Sequence, residues 1–180
     1  MPEEIEVPTE HLHEKMSEEA EEAKEGRRWI SRVAVSSALL AVAAAISALM
    51  AGHHANEAML EEMKATDKWA LYQAKGIKSA LLQSKIDVLE ASGKQVAPAV
   101  KADVKRYDDE QGDIKQDGLE LEASSDDHMK HHESFAYAVT IFQIAIALGA
   151  IAVLARKPKL WWLSLGGGLA GLVFLILGII

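Results

Sequence analysis

Cysteine is missing from all 180 residues. The chain therefore has no disulfide, no thiolate metal site and no thiol nucleophile, and its composition is silent on redox compartment. Also missing are a GxSxG elbow, a Walker loop, an HExxH pair and any pair of carboxylates inside an apolar run. With none of the usual chemical motifs present, and the outer carboxylates spread like ordinary helix-surface charge, the chain reads as a non-enzyme. There is no basic excess, since 19 Lys and Arg against 27 Asp and Glu leave a net charge of -8, which argues against nucleic acid as a partner.

What is present is apolar and clustered. The mean hydropathy near zero averages two extremes. Trp29–Met50 is apolar apart from Arg32, while Phe135–Ala155 and Leu160–Ile180 carry no charge at all. Each run covers roughly 30 Å as a helix, enough to cross the hydrocarbon core of a bilayer. Transmembrane helices are expected at 29–51, 135–155 and 160–180. The first is not a cleavable signal, because a polar segment precedes it, it exceeds the length of an h-region and it lacks an A-x-A site.

Short basic segments set the expected topology. Lys24, Arg27, Arg28 and Arg32 flank the first run, and Arg156, Lys157 and Lys159 fill the turn RKPK between the second and third. Three spans place both segments on one side, so the positive-inside rule predicts a cytoplasmic amino terminus and an outer carboxyl terminus. The segment 52–134 then lies outside. Trp29, Trp161 and Trp162 fall at the inner interface, where an aromatic belt belongs. Residues 1–28 form an acidic, solvated tail, partly disordered or helical, with too few recurring apolar residues for a core.

The outer segment repeats every seven residues. Met63, Ala70, Ile77 and Ser84 form one row, and Leu60, Ala74, Leu81 and Val88 a second, interrupted by Asp67. After a break near 92–98, Val100, Tyr107, Ile114 and Leu121 recur with Val104, Gln111, Gly118 and Ser125. This pattern predicts two arms of an antiparallel coiled-coil hairpin, each reaching roughly 60 Å. No helix breaker separates Met50 from Asn56, so the first arm is expected to continue the first span. The fold class is thus an all-α integral membrane protein with the hairpin inserted between spans one and two.

Association is written into the same pattern. Trp69, Leu71, Tyr72, Leu82, Ile86 and Leu89 lie off the seam and form a second apolar face that needs a partner, for which a second copy of the chain is the preferred candidate. In the spans, Ser37, Ala41 and Ala45 share one face, and Gly167 and Gly171 form a GxxxG, the spacing that lets helices approach closely in lipid. A homo-oligomeric membrane scaffold follows, acting alone or within a larger membrane complex. A pore is the alternative, with Ser36, Ser37, Ser47, Thr140 and Gln143 as lining residues.

Histidines gather at two places, His53 and His54 after the first span and His128, His131 and His132 before the second. A turn centred near Lys94 pairs Glu57 with His132 and Glu61 with His128. Continuing the heptad rows places His53 on the inner face and turns His54 away from it. His53, His128 and His132 with Glu57 then make an N/O set suited to a divalent transition metal, or a layer that titrates, its pKa values raised by Asp126, Asp127 and Glu133.

The stretches AGHHANEAML, WALYQAKGIKSALLQSK and FQIAIALGAIAVLARKPKLWWLSLGGGLAGLVFLILG resemble a bacterial family of small membrane proteins catalogued as a domain of unknown function. The resemblance covers nearly all the chain beyond the acidic tail. It implies one span, a helical hairpin and two further spans, and it implies no activity, cofactor or catalytic residue.

The absence of native cysteine makes the topology directly measurable. Lys94→Cys should react with a membrane-impermeant maleimide in intact cells, whereas Lys157→Cys should react only after permeabilisation. The reverse pattern would invert the orientation.

Overall fold

The computed structural model describes the backbone of residues 9–180, with side chains from Lys15 onward except those of 20, 22 and 23. Three helices follow in order: α1 (Thr9–Ala91), α2 (Pro98–Leu154) and α3 (Pro158–Leu177), with no strand among the described residues. Each carries a segment long and apolar enough to cross a membrane. Of the expected acidic tail, residues 1–8 lie outside the described residues, and from Thr9 the backbone is already α1.

Local chemistry explains the helix ends. Gly93 adopts φ +67°, and the Lys94 and Gly93 amides donate to Leu89 and Glu90 carbonyls, a Schellman stop that glycine enters without steric penalty. The α2–α3 turn repeats the motif, with the Lys157 and Arg156 amides on Ala152 and Val153 carbonyls. Here Arg156 takes the left-handed position at φ 53°, which costs an L-residue about 1–2 kcal/mol. Pro98 and Pro158 open α2 and α3, where a missing N–H does no harm.

The chain divides into two compact units. The first combines α1 up to Ala48 with Ala136–Ile176. Its interior is built from small residues: Val33, Ala44 and Ser47 on α1, Ala138, Ala145 and Ala152 with the one large ring of Phe142 on α2, and Ser164, Gly168 and Gly171 on α3. Leu40, Ala43, Phe174 and Leu175 close over Ala44, Ala138 and Phe142. A Cβ on Gly168 would stand 2.6 Å from Leu40, and one on Gly171 2.8 Å from Phe142, so neither position admits alanine without a shift. Large apolar side chains such as Val35, Leu39, Val42, Ile46 and Ile144 face outward instead.

The second unit combines Leu49–Phe135 with Leu177–Ile180. Here α1 and α2 run antiparallel, since His132 meets Ala51, Ser125 meets Ala58, Gln111 meets Tyr72 and Ser79 meets Asp108. The inner row of α1 is Ala51, Ala58, Ala65, Tyr72, Ser79 and Ile86, one residue every seven. The first three are 7%, 1% and 1% exposed. His54, Glu61, Lys68, Lys75, Leu82 and Leu89 form the half-buried companion row three residues on. Small side chains bring the backbones close enough for Ser125 Oγ to donate to the Ala58 carbonyl at 2.9 Å. Polar pairs flank the contact: Lys68 with Asp117, Lys75 with Glu110, and Trp69 Nε1 with Glu122. The Lys75 ammonium, through its hydrogen bond, holds the Glu110 carboxyl below its ordinary pKa.

This arrangement reverses the sequence reading of α1. The expected inner rows point outward, with Ile77 68% and Leu81 72% exposed and Leu60, Met63 and Val88 likewise exposed. Ile86, Tyr72, Leu82 and Leu89, expected on a second outer face, lie inside or at its edge. The α2 rows fall as expected, with Gly118 and Ser125 buried and Val100, Val104, Tyr107, Gln111, Ile114 and Leu121 half-buried. Hydrophobicity favours the bulky row of α1, but close approach of two helix backbones favours the row of small residues, and here the second criterion wins.

Register also differs. Ala51 rather than Glu57 pairs with His132, and His54 rather than Glu61 with His128, a slip of about two helical turns. The connector accounts for it: Lys94–Ala97 is non-helical, and a residue outside a helix can cover up to about 3.3 Å against 1.5 Å within one. α2 therefore restarts well below the tip of α1.

If the alanine row sets the approach, Ala65→Leu should destabilise the helix pair by roughly 1–3 kcal/mol. Thermal unfolding followed by circular dichroism in detergent measures this. An unchanged midpoint would mean that Ala65 does not face α2.

Candidate functional site

The inner rows converge on a layer of histidines in the second unit. Because Ala51 and Ala58 are small, the α2 residues opposite them reach the α1 backbone. His132 Nδ1 lies 2.9 Å from the Ala51 carbonyl oxygen and Ser125 Oγ reaches that of Ala58. As a carbonyl only accepts, His132 carries its proton on Nδ1. His54, three residues beyond Ala51, is carried to the rim of the contact.

His54 is the centre of the layer. Its ring stacks on His131 with centroids 5.0 Å apart and on Phe135 at 5.6 Å, and it lies 5.3 Å from His128 and 5.5 Å from His53. His128, His131 and Phe135 share one face of α2 at helical spacing. His54 Nδ1 and His128 Nδ1 are 3.0 Å apart. One must donate and the other accept, so this contact exists only while at least one ring is neutral. His131 Nδ1 faces the Gly178 carbonyl at 2.9 Å, and its Nε2 lies 3.7 Å from Asp127. A Cβ on Gly178 would stand 3.0 Å from the Phe135 ring, so glycine lets the chain approach there.

Electrostatics follow from this crowding. Burial pushes the His54 pKa below 6.5, the nearby His131, His128 and His53 rings push it the same way, and Asp127 opposes them. At His54 loss of water outweighs Asp127, the one carboxylate that acts on it.

The expected metal set is not assembled within one chain. His53 stands on the outer face and touches the layer only through the edge of the His54 ring, and Glu57 is half-buried on α1. His132 is engaged with the Ala51 carbonyl, and among the described residues no three His, Asp or Glu side chains converge on one point. The rotation of α1 onto its alanine row exchanges His53 for His54. The residues missed were His54 and His131. Their signal is the seven-residue recurrence of Ala51, Ala58 and Ala65, with His54 in the companion row.

Residues expected to pack between copies are largely used within the chain. Trp69 lies against Gly118, 3.4 Å from where a Cβ would be, and Tyr72 crosses Trp69 edge-on at 5.7 Å. Ser37 faces Gly149, while Gly167 faces Ala145 and Gly171 faces Phe142. Ala41 and Ala45 point outward. The expected pore-lining hydroxyls of Ser36, Ser47 and Thr140 donate to the carbonyls of Val33, Ala43 and Ala136 on their own helices. Ser36 Oγ also accepts from Trp161 Nε1, and Gln143 is exposed.

Residues 29–180 match the family described as a domain of unknown function, DUF4337. The chain belongs to that family. The DUF4337 match begins at Trp29 and so takes in the histidine layer, the whole of the second compact unit and the part of the first that lies beyond residue 28. No curated protein and no solved structure matches the chain.

The lowered pKa of His54 has a definite sign. Below about pH 6.5 the unfolded chain takes up a proton that the folded site resists, so the unfolded state binds more protons. Stability is therefore lost as pH falls through that window. The unfolding midpoint should drop between about pH 7.5 and pH 5, and by less in His54→Gln, as measured by thermal scans in detergent. Equal drops in both proteins would remove His54 as the source.

Proposed function

We propose that the protein is a membrane-embedded homo-oligomeric scaffold whose copies associate side by side through α1. Membrane insertion is supported by the inverted distribution of residues in the first unit. Small residues fill the inside and large apolar ones cover the outside, as suits a protein whose solvent is lipid.

The observation that carries the assembly is the outward face of the α1 arm. Leu49, His53, Asn56, Leu60, Met63, Asp67, Ala70, Ala74, Ile77, Leu81, Ser84 and Val88 alternate steps of four and three, and every one is exposed. This is a second heptad seam, displaced by two residues, about 200° around the helix, from the alanine row. One helix thus has a seam for its own chain and another without an occupant. Full burial of a Leu, Ile, Val or Met side chain is worth roughly 1.5–3 kcal/mol. Beside the seam, Met59, Met63 and Met129 line a groove of about 670 Å³ in which an incoming helix has apolar walls.

A second copy, parallel to the first, is the occupant that this seam fits. Each copy supplies the same heptad period, which knobs-into-holes packing demands of both partners. Charge decides the direction. Glu57, Lys64, Leu71, Lys78 and Lys85 flank one side of the seam, and Met59, Thr66, Gln73, Ala80 and Asp87 the other. Parallel pairing in register sets Lys64, Lys78 and Lys85 against Met59, Gln73 and Ala80, whereas antiparallel pairing brings together two flanks that each hold three lysines and one glutamate. His53, Asn56 and Asp67 are the polar seam positions, of the kind that fix register at some loss of stability.

Single cysteines test the assembly. Ala74→Cys and Ser84→Cys should each form a disulfide with its own counterpart under mild oxidation in membranes, and Asp109→Cys on the surface of α2 should not. Adding Leu81→Glu should abolish the crosslink. Monomer throughout, in wild-type crosslinking as well, would overturn the scaffold.

A further inference from the structure

We propose that His54 and His128 form a two-imidazole clip for a divalent transition-metal ion, joining α1 to α2. The two facing atoms are both Nδ1 and stand 3.0 Å apart. A Zn²⁺, Ni²⁺ or Cu²⁺ ion with bonds of about 2.0–2.1 Å holds neighbouring imidazole nitrogens roughly 2.9–3.4 Å apart, depending on whether its angles are octahedral or tetrahedral. The pair therefore already has the bite of a chelate. Metal binding requires the donor ring to change tautomer, losing its proton from Nδ1 and taking one up on Nε2, and a small rotation of the rings that turns both Nδ1 lone pairs toward one point.

The surroundings support that role. Both rings are half-buried, so the ion and its completing waters have access while the nitrogens keep their geometry. The His54 ring is clamped by His131 and Phe135, which fixes its orientation as outer groups do in metal sites. Burial, and after it the neighbouring histidines, disfavours the protonated form of His54, which cannot bind a metal. Because no third side chain converges among the described residues, water completes the coordination, and the site is open rather than structural. By the usual divalent order, copper binds most tightly, ahead of nickel and zinc. A bound ion ties residues of two helices together across the intervening arms, so it stabilises their pairing by an amount that rises with the logarithm of free metal above the dissociation constant. His54 stands about 100° around the helix from His53, in the companion row of the inner contact and not in the outer seam.

The test uses the full chain in detergent, with ZnCl₂ followed by calorimetry and CuCl₂ followed by electron paramagnetic resonance. One ion should bind per chain, the copper spectrum should report two imidazole nitrogens, and the unfolding midpoint should rise with metal. His54→Gln and His128→Gln should each weaken zinc binding by about tenfold or more, with circular dichroism confirming that both variants fold. His53→Ala and His132→Ala should leave affinity unchanged. No binding up to about 100 µM would overturn the clip, as would binding that survives both glutamine variants or depends on His53 instead.

Discussion

Close approach of two helix backbones along Ala51, Ala58 and Ala65 is the constraint on which the second unit depends. Side chains this small let the Ser125 hydroxyl and the His132 ring reach carbonyls of α1 that bulkier neighbours would shield. They also rotate α1 so that His54 joins His128, His131 and Phe135 while His53 is left outside. The histidine layer, the outward heptad and the orientation of Trp69 over Gly118 all follow from that one rotation.

Much of the architecture was legible in the sequence because it depends on length and period. Three apolar runs, a break near Gly93 and a seven-residue repeat on both arms require no knowledge of partners. The α2 rows were legible for a further reason: Gly118 and Ser125 recur in step with Tyr107, Ile114 and Leu121, so size and hydrophobicity point to the same face. On α1 they disagree. Leu60, Met63, Ile77 and Leu81 advertise a core more strongly than Ala51 and Ala58 do, and only the geometry of a tight contact reveals which face is inner. The site inherited that error, since choosing between His53 and His54 is the same choice as choosing between the two faces. Pairing levels were not legible either, because they depend on the path of the non-helical residues Lys94–Ala97.

The two units apply one packing rule in two settings. In the first, Ala44, Ala138, Gly168 and Gly171 are inside and the bulky residues outside, and the buried Ser164 Oγ donates from α3 to the Ala145 carbonyl of α2. In the second, small residues again meet across the contact, but flanking lysine and carboxylate pairs replace bulky apolar neighbours. Small residues at the contact bring backbones together in either setting, whereas the residues around them differ with the surroundings of each unit.

The two faces of the α1 arm share a period of seven and are offset by only two residues, which makes its length a discrete quantity. Inserting one residue between Ala58 and Ala65 rotates everything beyond it by about 100°, misaligning the inner row and the outer row together. Seven residues, about 10.5 Å of helix, restore both. The arm can therefore lengthen or shorten only by whole heptads, matched by equal steps in α2, and variation of any other size is confined to the connector after Gly93.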